Sequence, residues 1–475
     1  MTQRCACLLV AGLLAACGDA PAPRGVAITD VTVIDAVNGV REQRTVVFDG
    51  DEILAVAGPG EAIPEPARTI DGSGKYLVPG LWDMHVHLTY DDAFTPSMPA
   101  RFLYYGITSV RDTGGLMAKL EPVVAAMRAP DAHAPRVFFS GPLLDGDLVV
   151  YDGESRPHIG ISNPDPAAAR ENVAALDAAG VDFIKIYELV EPAVFEALVD
   201  AAGERRLPIA AHVPLALTAL SAGPAVDSIE HLRNLEIGCA GNAAALYEAR
   251  RAYMAEYEGG SGYELRSELH SRHRVPAIGN YDPAQCEQVL AALAGTVQVP
   301  TLRLNALGLV SPFDRDGWDE ALRLVPDARR AGWGEAAAAY RAGPPASDTT
   351  FAGWSLRLVG DMDRAGVPLG AGTDTPIGYA IPGYSLHSEL EMLVRAGLTP
   401  LEALAAATVQ PARFFGLEQD MGTIQPGLRA DLLLLDADPL ADIANTRRIS
   451  RVIHRGRVMD RSELAAKLAD AVRQP

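Results

Sequence analysis

Short apolar runs alternate with alanine- and leucine-rich helical stretches through most of this chain, and that alternation limits what it can fold into. The runs are Tyr76–His87, Ile107–Asp112, Arg136–Ser140, Asp182–Tyr187, Pro208–Val213, Asp227–Leu232, Gln298–Leu302 and Val367–Thr373. The pattern indicates parallel strands joined by helical crossovers. Eight such strands is the number a closed (β/α)8 barrel needs. Residues 167–179, 192–202 and 400–407 carry apolar side chains at helical spacing.

The two ends have a different texture. Ala27–Ile34, Arg44–Phe48 and Ile53–Val56 read as closely spaced strands, with Asp49-Gly50-Asp51 as a turn between the last two. Strand-like runs return at Ala430–Asp436 and Val452–Val458, after the turn cluster Gly422–Gly427. The expected fold class is therefore α/β: a TIM barrel over 81–420 and a composite β-sandwich built from 25–80 and 421–460, followed by a C-terminal helix over 461–475. Two long insertions, 233–297 and 304–366, interrupt the barrel. Long insertions commonly carry lids or binding loops. Decoration or a contact between copies of the chain is the plainer alternative.

Composition removes several function classes. Of 475 residues, 48% are hydrophobic and 21% charged, enough for a large core and too apolar for disorder. The formal charge of −20 argues against nucleic acid and against a polybasic grip on anionic lipid. A solvated acidic surface accounts for the excess, with cationic substrates as the sharper alternative. Residues 1–16 read as a secretory signal: one arginine ahead of an apolar run too short to span a bilayer. Leu14-Ala15-Ala16-Cys17 resembles a bacterial lipobox, which makes Cys17 the lipidation site and 17–24 a tether. The mature chain is then lipid-anchored, with no transmembrane helix. Gly18 favours the outer membrane, facing the periplasm. Cys239 and Cys286 read equally as one disulfide or as two buried thiols.

The chemistry lies at strand ends. Strand one closes with His85-Val86-His87, whose imidazoles share one side of an extended strand. Strands five and six end in His212 and His231, and strand eight runs into Asp374. The C-terminal mouth of a barrel is where active sites are built. Imidazoles with a carboxylate suit zinc and similar divalent ions. Lys185 sits inside the apolar strand Asp182–Tyr187, where an unpaired ammonium is costly to bury. The neutral amine, which burial favours, reacts with CO2 to form an anionic carbamate able to bridge two cations. An ion pair with Glu230 is the structural alternative.

As an ordered set, PGLWDMHVHL at 79–88, DFIKIY at 182–187, AAHV at 210–213, IEHL at 229–232, AGTDTP at 371–376 and GTIQPGLRADLLLLDADPL at 422–440 resemble the amidohydrolase superfamily. The resemblance covers nearly all of 25–460. It implies a binuclear centre in which His85, His87 and Asp374 hold one ion, His212 and His231 hold the other, and carbamylated Lys185 bridges them. The strand-four lysine is similar to that of the metal-dependent dipeptidase, prolidase-like and ochratoxinase branch. The implied reaction is attack of a metal-bridging hydroxide on the amide of a dipeptide or N-acyl amino acid, with Asp374 as proton acceptor and donor. A lactonase, esterase or cyclic amide hydrolase would use the same centre; a non-catalytic metal-binding lipoprotein and a deaminase are the further rivals. Tyr187, Tyr151, His158 and Arg303 are candidate substrate contacts, with rim packing or surface decoration as the alternatives. His387 fits a helix-start hydrogen bond better than a pocket position.

Overall fold

The computed structural model describes residues 23–154, 156–344 and 347–473. The expected signal segment and Cys17 lie outside the described residues. Five strands come first: β1 (Val26–Asp35), β2 (Gly39–Asp49), β3 (Glu52–Ala57), β4 (Arg68–Asp71) and β5 (Tyr76–Pro79). The barrel strands follow as β6 (Leu81–Val86), β7 (Ile107–Asp112), β8 (Arg136–Phe139), β9 (Leu143–Asp145), β10 (Gly160–Ser162), β11 (Ile184–Ile186), β12 (Ile209–Ala211), β13 (Ser228–Glu230) and β14 (Val297–Val299). The chain closes with β15 (Leu432–Leu435), β16 (Ile449–His454) and β17 (Arg457–Asp460).

The N- and C-terminal strands form one eight-stranded sheet in the order β17-β16-β15-β5-β1-β2-β3, with β4 paired to β1. Its core gathers residues from both ends of the sequence, among them Ile28, Val46, Ile53, Leu432 and Ile453. Burying these together removes apolar surface that neither end could cover alone. The apolar run Tyr76–His87 is two strands, not one: β5 pairs with β15 in the sheet, and β6 pairs with β7 in the barrel. The break falls at Gly80, where a Cβ would lie 2.2 Å from Thr108 Oγ1. Only glycine lets the chain pass so close to β7 while changing sheets.

The parallel strands form two sheets, β6-β7-β8 and β10-β9-β11-β12-β13-β14. With β8 and β9 counted as one interrupted position and β10 as an added strand on β9, residues 367–375 close them as the eighth position. That segment is an irregular strand with isolated parallel bridges, Gln298 to Leu369 and Val86 to Thr375. Its backbone is bonded on both sides: Gly370 N donates to Gln298 O at 2.8 Å, and Asp374 N donates to His85 O at 2.8 Å. The reason for the irregularity is close approach, since a Cβ on Gly372 would meet Val299 Cγ1 at 2.6 Å and His85 Cβ at 2.8 Å.

Both insertions are helical. The first carries helices Ala243–Ala255, Gly262–Gly279 and Pro283–Ala292, and the second carries Trp318–Arg323, Asp327–Ala342 and Thr350–Arg364. Cys239 and Cys286 are joined as a disulfide across the first insertion. No described helix is long and apolar enough to cross a membrane.

Barrel and sheet are tied by a charge cluster centred on the buried Asp431. Arg136, at the start of β8, donates from Nε to Asp431 at 2.7 Å and from Nη2 to Asp51 at 2.6 Å. His454 Nδ1 lies 2.6 Å from Asp431 Oδ1. Burial pushes the Asp431 carboxyl up, but His454 and Arg136 outweigh it and hold the group below the usual carboxylate range. Because its folded value is depressed, its stabilisation is present above the unfolded pKa and lost as pH falls through the folded one. Arg136→Met should therefore destabilise the fold by on the order of 3 kcal/mol at pH 7. Denaturant melts should show the gap between variant and parent shrinking below about pH 4.

Candidate metal centre and active site

The polar strand ends converge on one pocket at the C-terminal mouth of the barrel, lined by His85, His87, Lys185, His212, His231 and Asp374. The four imidazoles lie together, with ring centroids 4.4 Å apart for His85 and His231 and 5.0 Å apart for His212 and His231. His85, His231 and Asp374 offer ligand atoms within 4.8 Å of one another. His87 Nε2 also reaches Asp374 Oδ1, at 3.2 Å. The tightest donor group thus takes His231 alongside His85 and Asp374.

Each histidine is fixed from behind through Nδ1. For His85 the partner is Glu230 Oε2 at 2.6 Å, and for His87 it is the Gly114 carbonyl at 3.0 Å. For His212 it is Glu188 Oε1 at 2.8 Å, and for His231 it is Thr301 Oγ1 at 2.7 Å. A carbonyl or carboxylate only accepts, so in His85, His87 and His212 the proton belongs on Nδ1 and the Nε2 lone pair faces the pocket; the Thr301 hydroxyl both donates and accepts, so it orients the His231 ring without dictating its tautomer. That is the orientation of an imidazole prepared to bind a cation.

Lys185 is 1% exposed, and its Nζ has no hydrogen-bond partner among the described residues. Burial, reinforced by Arg111 and opposed by Glu230, lowers its pKa to about 7, so the neutral amine is accessible. The expected alternative of an ion pair with Glu230 is not what forms. Glu230 is bound by Arg111 Nη2 at 2.6 Å, by Ser228 Oγ at 2.7 Å and by His85. His212 Nε2 is likewise buried without a partner among the described residues. Burial and the Lys185 charge lower the His212 pKa to about 3. Burial also raises the Asp374 carboxyl, but His231, His85 and His87 outweigh it and hold Asp374 well below the usual carboxylate range. A buried anion ringed by imidazoles, with two orphaned nitrogens beside it, is a donor set that fits divalent cations.

The loops carrying these groups adopt left-handed backbone. φ is 60° at His231, 58° at Leu232, 65° at Asn234, 46° at Thr301 and 60° at Asp374. Such angles in residues other than glycine are costly and cluster at functional sites. Here the surroundings enforce them: Asn234 Nδ2 donates to Val213 O at 2.7 Å, and its Oδ1 accepts from Arg250 at 2.9 Å.

Tyr187 and Tyr151 line the pocket, with the Tyr187 ring 4.5 Å from that of His212. His158 and Arg303 do not. His158 is exposed on its loop. Arg303 is fully buried and donates to the carbonyls of Thr373 and Ile377 at 3.0 and 2.8 Å, so it clamps the Asp374 loop instead of reaching substrate. His387 lies 2.9 Å from both Thr446 Oγ1 and Tyr105 O, away from the pocket. Two pocket arginines, Arg233 and Arg266, are absent from the sequence-derived candidates. So is Glu188, which accepts from Arg266 Nε at 3.0 Å while holding His212.

A family model described as the amidohydrolase family matches residues 355–459. The imidazolonepropionase of Rubrobacter xylanophilus is 26% identical over 428 residues, covering 83% of this chain and 84% of that protein. Among solved structures, bottromycin amidohydrolase superposes with a TM-score of 0.68 at 25% identity, covering 94% of this chain and 91% of that one. A putative prolidase from Bifidobacterium longum superposes with a TM-score of 0.64 at 24% identity, covering 94% and 99%. A barrel with this donor set at its mouth is a metal-dependent hydrolase. The chain is similar over most of its length to proteins of the amidohydrolase superfamily, and that likeness supports a hydrolase acting on carbon–nitrogen bonds.

Glu188→Gln should weaken metal binding by about 10–100-fold, because the amide no longer dictates the His212 tautomer. Competition against a chromogenic chelator measures this.

Proposed function

We propose that the chain hydrolyses the amide bond of a dipeptide or an N-acyl amino acid with a binuclear divalent centre, zinc being the ion its donors suit best. The observation that carries this reading is the buried Lys185 amine, without a hydrogen-bond partner among the described residues, beside four imidazoles whose Nδ1 atoms are all engaged from behind. His85, His87 and Asp374 would hold one cation, and His212 and His231 the other. Addition of CO2 to the neutral Lys185 amine, with loss of one proton, gives the carbamate that would join them. Bound cations supply a Lewis acid for the carbonyl and a water acidified to near neutral pH.

The remaining work falls to side chains of this chain. Asp374, poised as an anion, takes a proton at its carboxylate and returns it to the departing amine nitrogen. Arg233 and Arg266, on the pocket wall, bind the carboxylate next to the scissile amide; guanidinium forks match that group. This replaces Arg303 and His158 in that role. Tyr151 and Tyr187 cover the pocket and keep bulk water from the reacting carbonyl. For location, we place the chain in the cell envelope, lipid-anchored through Cys17. The lipobox-like segment and the Cys239–Cys286 disulfide both favour an oxidising compartment.

The deciding experiment is a hydrolysis screen of dipeptides, N-acyl amino acids and lactones, using metal-quantified protein that starts after Cys17. Amide turnover abolished by a chelator and restored by metal is the expected result; turnover confined to lactones would refute the reading. Asp374→Asn should retain metal while lowering kcat by about 10²–10⁴-fold, and full activity in that variant would remove its proton-transfer role. Lys185→Ala should lower metal content per chain, measured by elemental analysis.

A further inference from the structure

The helix Gly262–Gly279 in the first insertion starts at a capping box between Ser261 and Glu264. Leu265 and Leu269 are buried and press it onto the barrel mouth. Arg266, His270 and Arg274 recur every fourth residue along it, so they share one face. That face, with Ser267, Ser271 and Arg233, lines a cleft beside the metal centre. Arg233 and Arg266 line the metal-centre pocket as well, so the two spaces share a wall.

Charge in this cleft does not balance. Glu188 lies 3.0 Å from Arg266 Nε and 2.5 Å from His270 Nε2, but the same carboxylate also holds His212. Arg274 pairs with Glu236 at 3.5 Å, while its Nη2 lies 2.9 Å from His270 Nδ1 and its guanidinium lies 4.2 Å from the Phe351 ring. Arg233 makes no ion pair or side-chain hydrogen bond among the described residues, and its Nε is buried without a partner. None of the described cleft-lining residues is acidic, although the chain as a whole carries −20. Two buried carboxylates, Glu188 and Glu236, thus face three guanidiniums, which leaves the Arg233 charge uncompensated and the cleft attractive to a further anion. Eight residues of helix span about 12 Å, so Arg274 stands well outside Arg266. An extended dipeptide with an acidic side chain covers that span.

We propose that this cleft is a subsite for a second anionic group on the substrate, so that the preferred substrates are acidic: dipeptides containing glutamate or aspartate, or N-acyl derivatives of those amino acids. The proposal rests on the amide-hydrolase reading above, and its test separates the two. Isosteric pairs isolate the charge: Ala-Glu against Ala-Gln, Glu-Ala against Gln-Ala, and N-acetylglutamate against N-acetylglutamine. The acidic member of at least one pair should have a kcat/KM about tenfold or more above its amide, the size of one charge-assisted contact. Arg274→Met and Ser271→Asp should each bring that ratio towards one through KM. Arg274→Lys, which keeps the charge, should restore part of it. Ser271 is exposed, so its replacement leaves the packing of the fold intact.

Calorimetric binding of glutarate to metal-loaded protein provides a readout without turnover. It should weaken about tenfold in both Ser271→Asp and Arg274→Met. Binding indifferent to these changes would place the dicarboxylate on the metals and overturn the subsite, as would ratios near one in every pair. If no amide is cleaved, the hydrolase reading fails, and the glutarate measurement still decides the subsite.

Discussion

Where the Nδ1 protons go governs this site. Four imidazoles could rotate, flip or protonate; instead each is pinned by a group behind it, two by buried carboxylates, one by a carbonyl and one by a hydroxyl. The pinning groups are held in turn. Glu230 depends on Arg111, which also donates to Met84 O at 2.6 Å and lies over the Phe414 ring at 4.7 Å. Glu188 depends on Arg266 and His270. The barrel interior is thus an ordered stack of charges that compensate one another, and its outcome is a set of imidazole Nε2 atoms facing one small space.

Much of this was legible in the linear chain because barrel geometry turns position into function. A polar residue at the end of an apolar strand points at the mouth, which is how His85, His87, His212, His231 and Asp374 come to notice. The same logic marks Lys185, a charge within an apolar strand, and it applies equally to Arg111 and Glu230, which carry that signal too. Glu188 was harder to see: it follows Tyr187 at a strand end, but its partners are 24 and 82 residues away in sequence. Arg266 has no local signal at all, since only the folding back of the insertion brings it to the pocket. Arg303 misled for the opposite reason. A cation near a mouth loop suggests substrate, but its neighbours are backbone carbonyls.

The architecture divides the labour in a similar way. Strand ends supply the reacting groups, while the composite sheet and the Arg136–Asp431–His454 cluster steady the opposite side of the barrel. The change from one body to the other takes a single residue, Gly80. Continuous hydropathy across Tyr76–His87 conceals it, because both halves are buried and only the direction of pairing changes.

The Cys239–Cys286 bond encloses the helix that carries Arg266, His270 and Arg274, so the wall of the cleft is part of a covalent ring. Redox history thereby enters molecular recognition. With both thiols reduced, the strand-end histidines are untouched, and the helix is held to the barrel by the packing of Leu265 and Leu269 and by Glu188, without the covalent loop. The bond thus bears on where the cleft wall sits and leaves the strand-end groups of the barrel alone.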